Sequence, residues 1–412
     1  MLYFDEFTLE NGLRVIVHED PTLPIAAFNL LYRVGSRNEN PEKTGFAHLF
    51  EHLMFGGSKN IAVYDEHLQK VGGENNAFTT PDFTNYYITL PVINLETAFW
   101  LESDRMLGLS FEPRVLEVQR KVVIEEFKQR YLNQPYGDVW LKLRPLAYQL
   151  HPYRWPTIGM DIAHIEQATM DDVREFFKNY YVPNNAILVV AGNVTRSQVE
   201  DLAGKWFGPI PGGYSKNGTV PAEPRQQEKR KLEVIADVPS DAIYMAWHMS
   251  GRLDEDYHAT DLLSDILGRG KASRLYQWLV KREKIFNTIN AYVSGSIDPG
   301  LFIIEGKLKD GIKLEEAEAS VLSLIEEFKN NPLENNELEK VKTQAETSLA
   351  FSEVEVLNRA MNLAFFAHLG SPELYNHEFD KVSGVTEEKI FEMADKVLNE
   401  NNLNVLHYQS RR

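Results

Sequence analysis

The sequence predicts an α+β protein of two similar domains, each a mostly antiparallel sheet with helices on one face, facing each other as a clam-like pair. Two internal echoes carry this expectation. The order strand, polar turn, helix in PIAAFNLLYRVGSRNENPEKTGFAHLFEHL (24–53) returns in DAIYMAWHMSGRLDEDYHATDLLSDILGRG (241–270), with Gly251 answering Gly35. The order helix, strand in TMDDVREFFKNYYVPNNAILVVAGNV (169–194) returns in TEEKIFEMADKVLNENNLNVLHYQ (386–409). Between the copies, GPIPGGYSKNGTVPAEPRQQEKRK (208–231) is rich in Gly, Pro and charge, the signature of a connection. The expected division is therefore a first domain over 1–215, a linker over 216–229 and a second domain over 230–412.

The elements follow in order. An opening hairpin spans Leu13 to His18, and the first strand–turn–helix unit ends in a helix around Phe46, Leu49, Phe50 and Leu53. Gly72 and Gly73 permit a tight turn, after which Phe78, Thr79, Thr80, Phe83, Thr84, Tyr86, Tyr87 and Thr89 are strand formers. PRVLEVQRKVVIEEFKQRYLN (113–133) reads as a long helix, with Val115, Val118, Val122, Val123 and Phe127 at helical spacing. Thr169 and Thr386 are helix N-caps with acids in the first turn.

Composition bounds the function. A chain of 412 residues with 43% hydrophobic and 25% charged residues is ordinary globular usage. No run nears the eighteen apolar residues of a membrane span, and the N-terminal residues lack the charged and apolar regions of a signal peptide, so the expected compartment is the cytoplasm. A net charge of −17 argues against nucleic acid as a partner. The absence of cysteine excludes disulfides and thiolate metal sites and leaves histidine and carboxylate as the metal-ligand set.

His48-Leu49-Phe50-Glu51-His52 is the motif that carries chemistry. Positions i and i+4 lie one above the other on a helix, so His48 and His52 can grip one metal ion, with Glu51 beside them as a general base. The order His-x-x-Glu-His is the inverzincin signature, the reverse of the commoner zinc helix. In the second copy Asp261, Ser264 and Asp265 stand where His48, Glu51 and His52 stand in the first, so the repeat keeps the fold and loses the ligands. A zinc peptidase needs a third protein ligand. The helix at 113–133 offers two adjacent acids, Glu125 and Glu126. Glu126, four residues after Val122, is aimed along the apolar stripe, and Glu125 stays open on periodicity alone.

At this point the chain resembles the pitrilysin/insulinase zinc peptidases, the group that includes the mitochondrial processing peptidase. The resemblance rests on TGFAHLFEHLMFGGSKN (44–60), GGENNAFTTPDFTNYYITLP (72–91), QRKVVIEEFKQR (119–130), HPYRWPTIG (151–159) and NNAILVVAGNV (184–194), and more diffusely on GKASRLYQWL (270–279). It implies one zinc ion per chain. It also chooses the third ligand: in such enzymes a Glu follows an Arg by six residues, and Arg120 plus six is Glu126. It further implies that Asn76, Ala77 and Phe78 lie on an edge strand that takes peptide substrate as an added strand, and that water on the zinc, deprotonated by Glu51, attacks the scissile carbonyl.

Two positions depart from the family pattern. Gln119 stands where many relatives carry a Glu that supports the zinc ligands. Arg282 is retained in KREKIFNTINAY (281–292), but the tyrosine expected about seven residues from it is missing. The resemblance therefore implies a dimer, formed with itself or with a related chain that supplies the Arg and Tyr. The main reading is a zinc metalloendopeptidase acting on oligopeptides and unfolded segments; the alternative is a catalytically silent scaffold subunit.

Overall fold

The computed structural model describes residues 1–213, 218, 220–334 and 336–411. The chain forms two compact units, one built from Met1–Gln129, Trp155–Pro221 and Ala350–His377, the other from Arg130–Arg154, Ala222–Leu349 and Glu378–Arg412.

The first unit holds a six-stranded sheet of β1 (Asp5–Thr8), β2 (Arg14–Glu19), β3 (Ile25–Tyr32), β4 (Glu74–Thr79), β5 (Thr84–Pro91) and β6 (Ala186–Gly192), in the order β1-β2-β6-β3-β5-β4. Only β2 and β6 run parallel. Helices α1 (Phe46–Leu53) and α2 (Pro113–Phe127) belong to the layer on one face. There Leu49, Phe50 and Leu53 join Val15, Val17, Phe28, Leu30, Tyr86, Ile88, Leu188 and Val190 in one core. Each such side chain, fully buried, stabilises the fold by about 1.5–3 kcal/mol relative to an exposed position.

The second unit repeats the plan. Its sheet contains β7 (Arg230–Ala236), β8 (Ala242–His248), β9 (Phe286–Ser294), β10 (Leu301–Leu308) and β11 (Leu403–Ser410), in the order β7-β11-β8-β10-β9. The single parallel pair again joins an early strand of the half to its last, β7 with β11 here as β2 with β6 there. One face packs against α3 (Val139–Ala147), the other against α4 (Tyr257–Gly268). The repeat extends to its glycines. A Cβ at Gly35 would fall 2.4 Å from Thr80 O and Pro81 O, and one at Gly251 the same distance from Ile297 O. In both units the chain leaving the central strand must slip under the loop of the neighbouring hairpin, and only glycine leaves room.

The compact units are not the two halves of the sequence, and the expected cut at 216–229 needs this correction. Helix α3, from the first half, sets Val139, Leu143 and Ala147 against Tyr244, Ala246, Ile303 and Leu406 of the second sheet. Helix α5 (Val356–His368), from the second half, packs on β3 and β6 of the first. The physical reason is two-sided burial. Strand β6 is buried at every residue, and β3 at all but its first, so Ile16, Leu31, Ile187 and Val189 need cover on the face away from α1. Each half's own helices occupy one face, and the other face is covered by a helix lent from the other half. Of the expected linker, residues 216, 217 and 219 lie outside the described residues, as does 215 at the expected domain end. Thr169 caps the helix Met170–Tyr180 through Asp172 N, and Thr386 caps Glu387–Val397 through Lys389 N.

Candidate metal and substrate site

Helix α1 carries His48, Glu51 and His52, and α2 packs beside it. Glu126 Oε2 stands 3.7 Å from His48 Nε2 and 3.4 Å from His52 Nε2. The imidazole rings are 4.8 Å apart and nearly perpendicular, at 86°. A tetrahedral zinc with ligand bonds of about 2.0–2.1 Å separates its donor atoms by about 3.4 Å. The donor set and its spacing therefore fit that ion, and the three side chains are 14–23% exposed, sheltered yet reachable.

Glu125 points elsewhere: it is 61% exposed and pairs with Lys128 at 2.7 Å. The helix periodicity expected around it also needs correction. Val118 and Val122 are 48% and 44% exposed, and the buried stripe of α2 is Leu116, Val123 and Phe127. Glu126 follows Val123 by three positions and shares its side of the helix, whereas Glu125 continues the exposed side of Val118 and Val122.

Glu51 is tied to the sheet. Its Oε2 accepts a hydrogen bond of 2.5 Å from Thr79 Oγ1, on the last residue of β4. Nearby, Tyr86 and Tyr181 share a hydroxyl–hydroxyl bond of 2.9 Å. Burial, reinforced by the charge of Glu51, holds both phenols above their usual range, so both are neutral. Strand β4 is an edge of its sheet. Its exposure alternates: Glu74, Asn76 and Phe78 are open, while Asn75, Ala77 and Thr79 are half-buried. Asn76 Oδ1 accepts from the Ala77 N–H at 2.8 Å, and Phe78 leans edge-on against Phe83, centroids 5.8 Å apart.

The remaining expected residues contribute less here. Gln119 is half-buried two turns before Glu126. Arg120 bonds the carbonyls of Glu166 and Ala168, a structural role. Arg282, in the second unit, stacks over Trp278 at 4.1 Å. Phe286 is a core residue, and the Tyr292 hydroxyl bonds Glu305 at 3.1 Å.

In the twin helix α4, burial and the neighbouring Asp265 raise the Asp261 carboxyl to about 6, and Asp265 pairs with Arg269. Among the described residues no metal-holding group lies on that helix. The other group of three potential ligands, Glu233, Glu315 and His407, is an ion-pair network, with His407 Nε2 at 2.7 Å from Glu318 and Glu233 at 2.8 Å from Lys231. Sequence reasoning missed Thr79, which reads as one more strand former, and Glu39. The Glu39 carboxylate is buried and accepts from Gly45 N at 2.9 Å and Ala47 N at 2.7 Å. Its only sequence signal is an acid shortly before a glycine that opens a helix. Among the described residues no helix is long and apolar enough to cross a membrane.

Residues 14–159 match the family described as Insulinase (Peptidase family M16), and residues 167–345 match the Peptidase M16 inactive domain. The chain is 31% identical over 348 residues to the zinc protease PqqE of Helicobacter pylori, covering 82% of this chain and 77% of that one. It is 26% identical over 359 residues to the uncharacterized zinc protease YmxG of Bacillus subtilis, covering 86% of each. The crystal structure of a protease from Helicobacter pylori superposes with a TM-score of 0.92 at 26% identity, covering 99% of this chain and 100% of that one.

Proposed function

Since the chain belongs to the insulinase family, peptidase family M16, we propose that it is a zinc metalloendopeptidase that hydrolyses peptide bonds in oligopeptides and unfolded segments. The observation that supports this most is the meeting of His48, His52 and Glu126 within 4.8 Å, beside a glutamate tied to an edge strand. In this reading those three residues hold one zinc ion and Glu51 is the general base. When bound, zinc supplies Lewis acidity that eases loss of a proton from water and polarises the scissile carbonyl. Glu51 takes that proton on its carboxylate and returns it to the leaving amine. Thr79 Oγ1 fixes one carboxylate oxygen, which sets the direction of the other. Asn76, Ala77 and Phe78 offer an edge to which a peptide adds as a strand, read through main-chain hydrogen bonds. Gln119 is proposed as an uncharged support to the ligands and Arg282 as a substrate contact. Among the described residues, the helix of the second half that answers α1 carries no metal-holding group, in keeping with that half's match to the inactive domain.

The test is digestion of a mixed peptide library beside a compact native protein, with and without a chelator. Peptides of tens of residues are expected to be cut, the chelator to stop the cutting, and the native protein to be spared, because a folded domain cannot add an extended strand. Equal cleavage of the native protein without prior unfolding overturns the size selection, and chelator-insensitive cleavage overturns the metal.

We also propose that the chain works as a dimer, with a second copy or a related chain completing the substrate clamp around Arg282. Because one lost transition-state hydrogen bond lowers a rate by about a hundredfold, weak activity alone and strong stimulation by a chain bearing the Arg and Tyr are expected. Sedimentation run with activity assays checks this, and a fully active monomer refutes it.

A further inference from the structure

We infer that Glu39 is the positioning residue of this site: from outside α1 it holds the first turn that carries the metal ligand His48. The inference rests on the reading of the site given above. A helix leaves its first N–H groups without internal partners, and a side chain at the N-cap ordinarily satisfies them. Here the N-cap is Gly45, at φ +83, where an added Cβ would stand 2.4 Å from Ile158 O. No side chain fits there, so none can cap from that position. Glu39 does so from six residues upstream, one oxygen taking the N–H of Gly45 and the other that of Ala47. His48 follows Ala47 directly and lies in the first turn of an eight-residue helix, whereas His52 lies near the end of its second. Uncapped ends fray before interiors. Loss of Glu39 therefore falls on His48 first.

The internal repeat provides an independent comparison. The N-cap of α4, Asp256, makes no side-chain cap bond, and the N–H groups of Tyr257 and Thr260 go to backbone oxygens of Asp254 and Asp256. Sheet, glycine and helix are repeated in the second unit, but the capping carboxylate is not, and neither are the ligands. The buried acid thus accompanies the metal set and not the fold. Its placement carries a penalty: burial pushes the Glu39 carboxyl up to about 8 against the pull of the Ala47 and Gly45 N–H groups. Above that value the group is ionised and both oxygens only accept, so glutamine is a poor substitute there, because its NH2 would face an N–H.

The experiment is Glu39→Gln in the full chain, with zinc affinity measured by chelator competition at a pH above that value. Val190→Ala, a core change in the same unit, is the control for stability. Glu39→Gln is expected to weaken zinc binding by about 10–100-fold, the range for residues that orient metal ligands. At saturating zinc it should lower kcat with KM unchanged, since Glu39 touches no substrate. Val190→Ala should keep wild-type zinc affinity. Wild-type affinity and kcat in Glu39→Gln, or equal zinc loss in Val190→Ala, overturns the assignment. If Glu39→Gln does not fold, Glu39→Asp takes its place: one carbon shorter, it cannot hold both N–H groups, and wild-type affinity in it overturns the assignment equally. Zinc missing from the wild type would instead remove the reading of the site itself.

Discussion

Glu51→Gln is expected to keep its zinc and to lower kcat by roughly 10²–10⁴-fold, the contribution of a positioned general base. The substitution is nearly isosteric, and its carbonyl oxygen can still accept the 2.5 Å bond from Thr79 Oγ1, so the local geometry should persist. What disappears is the capacity to take a proton. His48, His52 and Glu126 are untouched, and metal content should stay at about one zinc per chain. Metal analysis and single-turnover peptide cleavage on the same preparation separate the two effects. Near-normal turnover with zinc in place would show that Glu51 is not the base. Loss of zinc would show that it helps hold the metal.

Much of this site was legible because it is local. Four helical positions fix the relation of His48 to His52, and no tertiary information is needed to place them together. The repeat was legible for a similar reason, since each unit restates the same order of strand, turn and helix. Resemblance chose Glu126, which the structure sets beside His48 and His52, but the stripe argument offered for it misplaced the buried face of the helix. The apolar stripe attributed to Val118 and Val122 is exposed, because α2 buries Leu116, Val123 and Phe127. Valine at an exposed helix position has no signal that distinguishes it from valine at a buried one. The exchange of α3 and α5 was illegible. The pattern of Val139, Leu143 and Ala147 states that a helix buries a face, and it cannot name the sheet that covers it. Glu39 and Thr79 were missed because each acts through a partner distant along the chain or across an irregular turn, where periodicity says nothing.

The largest effect on the metal is expected from its ligands, and the two adjacent glutamates provide an internal control. Glu126→Gln removes one of three donors and should lower zinc affinity well beyond the 10–100-fold lost when an orienting residue is removed. Glu125→Gln removes an exposed pair with Lys128, worth about 0.2–1 kcal/mol, and should leave zinc binding unchanged. The same contrast should appear in stability. A ligand present at a thousand times its Kd stabilises the folded state by about 4.1 kcal/mol. Wild type and Glu125→Gln should therefore lose thermal stability on chelation, whereas Glu126→Gln and His48→Ala/His52→Ala should melt at the same temperature with and without zinc. Melting curves at fixed protein and zinc concentrations, paired with metal analysis, decide the matter. If Glu126→Gln keeps its zinc and Glu125→Gln loses it, the third ligand is residue 125, and the 3.4 Å approach of Glu126 to His52 is then only an ion pair. If zinc survives in His48→Ala/His52→Ala, it binds at a different place, and the general base assigned to Glu51 loses its metal partner as well.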